Sequence, residues 1–171
     1  MTLYDTLVPQ FVKMLDNLAT LLGKAESHCT AQGLAPEDII QARFAPDMLP
    51  FAYQVKSACV HSIGAIEGAR GGVFSPDTTT PPDTFASLRE AIDSARSALS
   101  ALDRAEIDAL FGRPMQFRFA TYYADFTVEQ FLLTFSLPNF YFHVTTAYDL
   151  LRWKGLEIGK VDFLGAMQLR Q

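Results

Sequence analysis

Two cysteines, Cys29 and Cys59, are too few for a disulfide framework and match no metal-binding spacing, so both read as small apolar residues. Charge of one sign is also missing. Fourteen Lys and Arg stand against nineteen Asp and Glu, for a net charge of −5, and the basic residues are scattered. That excludes a nucleic-acid surface built on counterion release. No window holds eighteen consecutive apolar residues, and the opening MTLYDTLVPQFVKMLDNL lacks a basic start followed by an unbroken apolar stretch. A membrane span and a secretory leader are therefore not expected, and the chain reads as cytoplasmic. It also lacks internal repeats, a Gly-rich phosphate loop, a nucleophile elbow and a paired-carboxylate arrangement.

What the chain has is apolar residues at helical spacing, 49% of 171 residues being hydrophobic. That suits one well-filled core, so residues 1–171 read as a single domain. Leu7, Phe11, Leu15, Leu18 and Leu22 recur at three or four residues behind a cap at Thr2 and Asp5. Prolines 36, 46 and 50 predict a short helix, a turn and the entry to a second long helix, which Gly68, Gly71 and Gly72 close. VFSPDTTTPPD then reads as an extended connection. Phe85, Leu88, Ile92, Ala95, Leu99 and Leu102 form the seam of a third helix. MQFRFATYY alternates with period two and predicts a short extended segment or cover rather than a full sheet. Thr127 with Gln130 is a capping box for the fourth helix, which Pro138 should kink and Gly155 should stop. The remainder reads as a C-terminal tail that packs Ile158, Phe163 and Leu164. The predicted fold is all-α: an up-and-down four-helix bundle with helices near Leu3 to Lys24, Pro50 to Glu67, Thr84 to Leu102 and Val128 to Lys154.

Polar residues inside the apolar stretch LPNFYFHVTTAYDLLR locate a candidate site. Burying an imidazole without a hydrogen bond costs roughly 1–3 kcal/mol, so His143 needs a polar partner, a ligand or a metal. On the second helix Gln54, Ser57, Ala58, His61 and Ala65 share a face; on the fourth, Asn139, His143, Thr146 and Ala147 do. If the helices alternate in direction, His61 and His143 look into one cavity, with Asn139 and Thr146 at its edge. The bland reading makes both histidines satisfied core residues. Cys59 lies two residues from His61, on a different side of the helix, which argues against a Cys–His nucleophile pair.

The motifs APDMLP with QVKSACVH, then LPNFYFHVTTAYDLLR and EIGKVDFLG, resemble a bacterial family of unknown function in the DinB-like superfamily of helical bundles. The resemblance spans nearly the whole chain. It implies a four-helix bundle, often dimeric, in a superfamily that includes metal-dependent thiol transferases and isomerases. Such proteins hold their metal through one histidine on the second helix and two on the last, four residues apart. His61 matches the first and His143 the earlier of the pair, but Ala147 stands where the third would be. Two expectations follow. One is a bundle with a degenerate or absent metal site that binds a small molecule around His61 and His143. The other is a metal-dependent enzyme in which these histidines hold a divalent ion such as zinc or nickel. In both the protein is expected to form a homodimer.

Overall fold

A computed structural model describes residues 1–166. Its longest element, α1 (Leu3–Gln32), begins with the expected cap: Thr2 Oγ1 accepts from Asp5 N, and Asp5 reaches back to Thr2 N. It runs beyond Lys24 because Ala25 and Cys29 continue the buried stripe, and Gly33, at φ 65°, is the left-handed stop. After α2 (Glu37–Ile40), the second long helix is built as α3 (Phe51–Cys59), a π-helical turn (Val60–Gly64) and α4 (Ala65–Gly71). The third long helix is α5 (Phe85–Ser100), capped by Thr84, and its expected seam is buried. A short α6 (Arg104–Asp108), which the sequence reading did not anticipate, follows on an Asp103 cap. The last long helix comprises α7 (Val128–Gln130), a second π-helical turn (Phe131–Ser136) and α8 (Leu137–Trp153).

The all-α expectation needs correction. Strands β2 (Pro114–Phe119) and β3 (Tyr122–Thr127) form an antiparallel hairpin, and β1 (Val73–Phe74) pairs parallel to β2, giving a small three-stranded sheet. The period-two pattern marked β2, but the hairpin turns at Ala120 and Thr121, with Ala120 at φ 51°, not at an Asn-Gly or Asp-Gly pair. Gly72, at φ 75°, swings the chain out of α4 so that its carbonyl accepts from Gln116 N.

Core residues from the long helices meet in one cluster in which Leu7, Phe11, Leu15, Leu18 and Leu22 are fully buried. The tail folds as a short helix, α9 (Lys160–Leu164), and docks on α1. Asn17 Nδ2 donates to the Phe163 carbonyl, and Lys24 pairs with Asp162 at 2.5 Å. Gly165, at φ 62°, lies so close to Asn17 that any β-carbon would collide with it. Ile158 and Phe163 pack as expected, whereas Leu164 is exposed, because so short a helix turns only one face to α1. Among the described residues no helix is long and apolar enough to cross a membrane.

Candidate functional site

Pro138 has no N–H to give to the preceding turn. The chain meets this with the wider π-helical turn immediately before α8, which carries Ser136 inward to complete burial. The second long helix widens in the same way at Val60–Gly64, the turn that carries His61. The two irregular turns face each other. Ser136 Oγ donates to the His61 carbonyl at 2.9 Å and lies 3.4 Å from His61 Nδ1. With its hydroxyl proton committed to the carbonyl, Ser136 faces the ring as an acceptor, which favours the His61 tautomer with its proton on Nδ1.

His143 reaches the same tautomer by another route. Its Nδ1 lies 2.8 Å from Gln54 Oε1, while Gln54 Nε2 donates to the Leu49 carbonyl at 2.8 Å. Turning the Gln54 amide over would set two carbonyls against each other. The oxygen therefore faces His143, and Nδ1–H donates to it. The imidazoles lie face to face, with centroids 5.7 Å apart and planes inclined by 17°. His61 is half-buried and His143 is 8% exposed. Burial disfavours both imidazolium forms and lowers each ring to a pKa of about 4, with the neighbouring His143 adding to the effect at His61. Both are neutral at pH 7.

Aromatic rings frame the pair: Phe74 and Phe135 lie 5.5 and 5.9 Å from His61, and Tyr53 and Phe142 lie 5.9 and 5.3 Å from His143. Phe74 reaches its position because Gly68 has no side chain; a β-carbon there would stand 3.0 Å from that of Phe74. Asn139 and Thr146 are engaged within their own helix. Asn139 Nδ2 donates to the Phe135 carbonyl and Thr146 Oγ1 to that of Phe142, each at 2.7 Å. Cys59 Sγ points to the Ala91 carbonyl on α5, and burial pushes its thiol up to about 12, so it is no nucleophile partner for His61. An open groove of about 820 Å³ lies elsewhere, between α1 and Gly155–Ile158, and includes His28.

Residues 3–164 match the family described as Domain of unknown function (DUF1993). The chain belongs to the DUF1993 family. A crystal structure of a DinB family member protein from Shewanella denitrificans is similar over 99% of this chain and 95% of that one, with 31% identity and a TM-score of 0.83. No curated protein matches the chain. The DinB-like resemblance of the motifs and the fold of this DUF1993 protein thus agree.

The donor set does not fit a three-ligand metal centre. Four residues beyond His143, Ala147 is fully buried, and among the described residues no three of His, Cys, Asp or Glu gather closely enough to hold an ion. Sequence reasoning placed Gln54 on the right face without giving it a role, and it missed Ser136 and Phe74. Ser136 carried a usable signal, since a hydroxyl on the inward face of the apolar run FLLTFSL needs a buried partner as much as His143 does. Phe74 carried none, because its approach depends on the turn at Gly72.

Proposed function

We propose that this DUF1993 protein is a DinB-like bundle whose metal site has degenerated and whose His61–His143 pair binds a small molecule. The observation that carries this reading is the donor set: two neutral imidazoles, each with Nδ1 engaged by the protein, and a buried alanine in the third ligand position. Two protein ligands fall short of the three that a catalytic zinc usually has. The aromatic frame suits an organic ligand.

A metal-dependent enzyme of the thiol transferase or isomerase type is the second reading. It is favoured by the way Gln54 and Ser136 hold the two Nδ1–H groups, the arrangement that outer partners give metal-binding imidazoles. Metal analysis of protein purified without an affinity tag separates the two, together with the melting temperature of His143→Ala. The first reading expects no stoichiometric zinc or nickel and a variant that chiefly loses stability. One ion per chain, lost in His143→Ala, would establish the second.

A homodimer belongs to the same proposal. Its support is an exposed aromatic pair, Phe44 and Trp153, whose rings lie 5.6 Å apart.

A further inference from the structure

We infer that a second copy of the chain docks on the outer face of α8, the two helices running antiparallel about a two-fold axis at the level of Ala147; this rests on the homodimer reading above and names its face and register. From Gln130 to Tyr148 the chain has no Asp, Glu, Lys or Arg. A helix that keeps one side in water ordinarily carries charge there. Yet the exposed positions of α8 include Pro138, Phe142, Thr145, Asp149 and Trp153, with Phe142 58% and Trp153 59% exposed. The seam between α1 and α5 is built differently: Asp16 pairs with Arg96 and Glu26 with Arg89, so it meets water as closed ion pairs.

Phe142, Thr145, Asp149 and Trp153 follow one another at three, four and four residues. With about 100° of turn per residue, Phe142 and Trp153 project within about 20° of each other, roughly 16 Å apart along the helix. An isologous contact needs a surface complementary to itself. This order meets that need, because turning the helix end for end sets aromatic against aromatic and hydroxyl against carboxylate. Phe142 then packs on the partner's Trp153, and Thr145 Oγ1 donates to the partner's Asp149, each contact made twice. The charged residues beside Phe44 and Trp153 in the chain are Arg43, Arg152 and Lys154 against Asp47, Asp149 and Glu157. Such a balance suits a second copy, whereas an anionic lipid surface calls for an excess of cations.

The area agrees with a stable pair. Phe44 adjoins Trp153, and Leu49 lies beside the start of the second long helix, its carbonyl accepting from Gln54. At about 200 Å² for each large side chain, the half-exposed Phe44, Leu49, Phe142 and Trp153 present roughly 400 Å² of apolar surface. That is about half of the ~800 Å² each partner gives to a standard interface, close to the apolar share of one. Because the Phe142 ring lies 5.3 Å from that of His143, the contact borders the histidine pair.

The test uses the full chain at micromolar concentration. Thr145→Cys and Asp149→Cys chains are mixed in equal amounts, left to exchange and oxidised with diamide, and the linked peptide is identified by mass. A disulfide between positions 145 and 149 of different chains should form at least about tenfold faster than a covalent dimer of Glu90→Cys, which is exposed on α5 and measures the background from Cys29 and Cys59. Phe142→Glu should keep its circular dichroism spectrum and raise the dimer Kd at least about thirtyfold by sedimentation, the loss expected of a central aromatic anchor.

A parent protein that sediments as a single chain would overturn the homodimer reading and the inference with it, leaving the face to another partner. A dimer that survives Phe142→Glu unchanged, or that links positions 145 and 149 no faster than position 90, would overturn the inference alone.

Discussion

Protonating either imidazole means placing a charge where, among the described residues, it has no acidic partner, and this gives the protein a specific acid sensitivity. Each histidine has a folded pKa of about 4 against an ordinary 6.5, so the unfolded chain binds more protons between those values. Stability is fully present above pH 6.5, declines as pH falls toward 4, and levels there as far as these two groups are concerned. The loss should be on the order of 3 kcal/mol for buried His143 and smaller for half-buried His61. The carboxylates of Asp5, Asp77, Glu129 and Asp162, held below their ordinary range by hydrogen bonds and cations, contribute their own loss at still lower pH. Urea midpoints at pH 7.5, 5.5 and 4.5 should therefore fall steadily, and by less in His143→Phe. A flat profile across that range would contradict the burial argument. Ser136→Ala should cost about 1–2 kcal/mol, since its hydroxyl is the buried partner of the His61 carbonyl.

Among the elements, β1 and the connection behind it depend on contacts with the second helix. Gly68→Ala would set a β-carbon against Phe74 and the Val73 carbonyl, at 3.0 and 3.1 Å, so β1 must move. The expected cost is about 1–3 kcal/mol, with a changed His61 ring resonance as the mark of the displaced Phe74. Farther along, Lys56 reaches from α3 with its side chain only 9% exposed, pairs with Asp77 at 2.9 Å and donates to the Thr79 carbonyl and hydroxyl. This buried ammonium holds the Pro- and Thr-rich connection against the bundle. In Lys56→Met, limited proteolysis should cut within residues 75–84 much faster than in the parent protein, while helix content measured by circular dichroism stays the same. Equal cutting rates would show that the prolines alone fix that segment.

At the scale of the whole molecule, the proposed homodimer gives the clearest measurement. Light scattering at micromolar concentration should report twice the chain mass, and Trp153→Glu, which puts a charge into the exposed Phe44–Trp153 pair, should shift it to one chain. A parent protein that remains at the single-chain mass removes the proposal.

Most of the architecture was legible because burial follows spacing. The seam from Leu7 to Leu22 and that from Phe85 to Leu99 are buried as their three- and four-residue intervals require. The caps at Thr2 and Thr84 and the reach of Gln130 back to Thr127 N stand where short-range chemistry puts them. By itself the sequence determined that His61 and His143 occupy inward positions on two long helices, since helical periodicity is a local property. Only the tertiary structure decided what those rings can do. The opposed π-helical turns, the Ser136 bond to the His61 carbonyl, the Gln54 amide that fixes a proton on His143, and the three-stranded sheet all depend on segments distant in sequence. No spacing rule within one helix records which hydrogen-bond partner another helix brings to it.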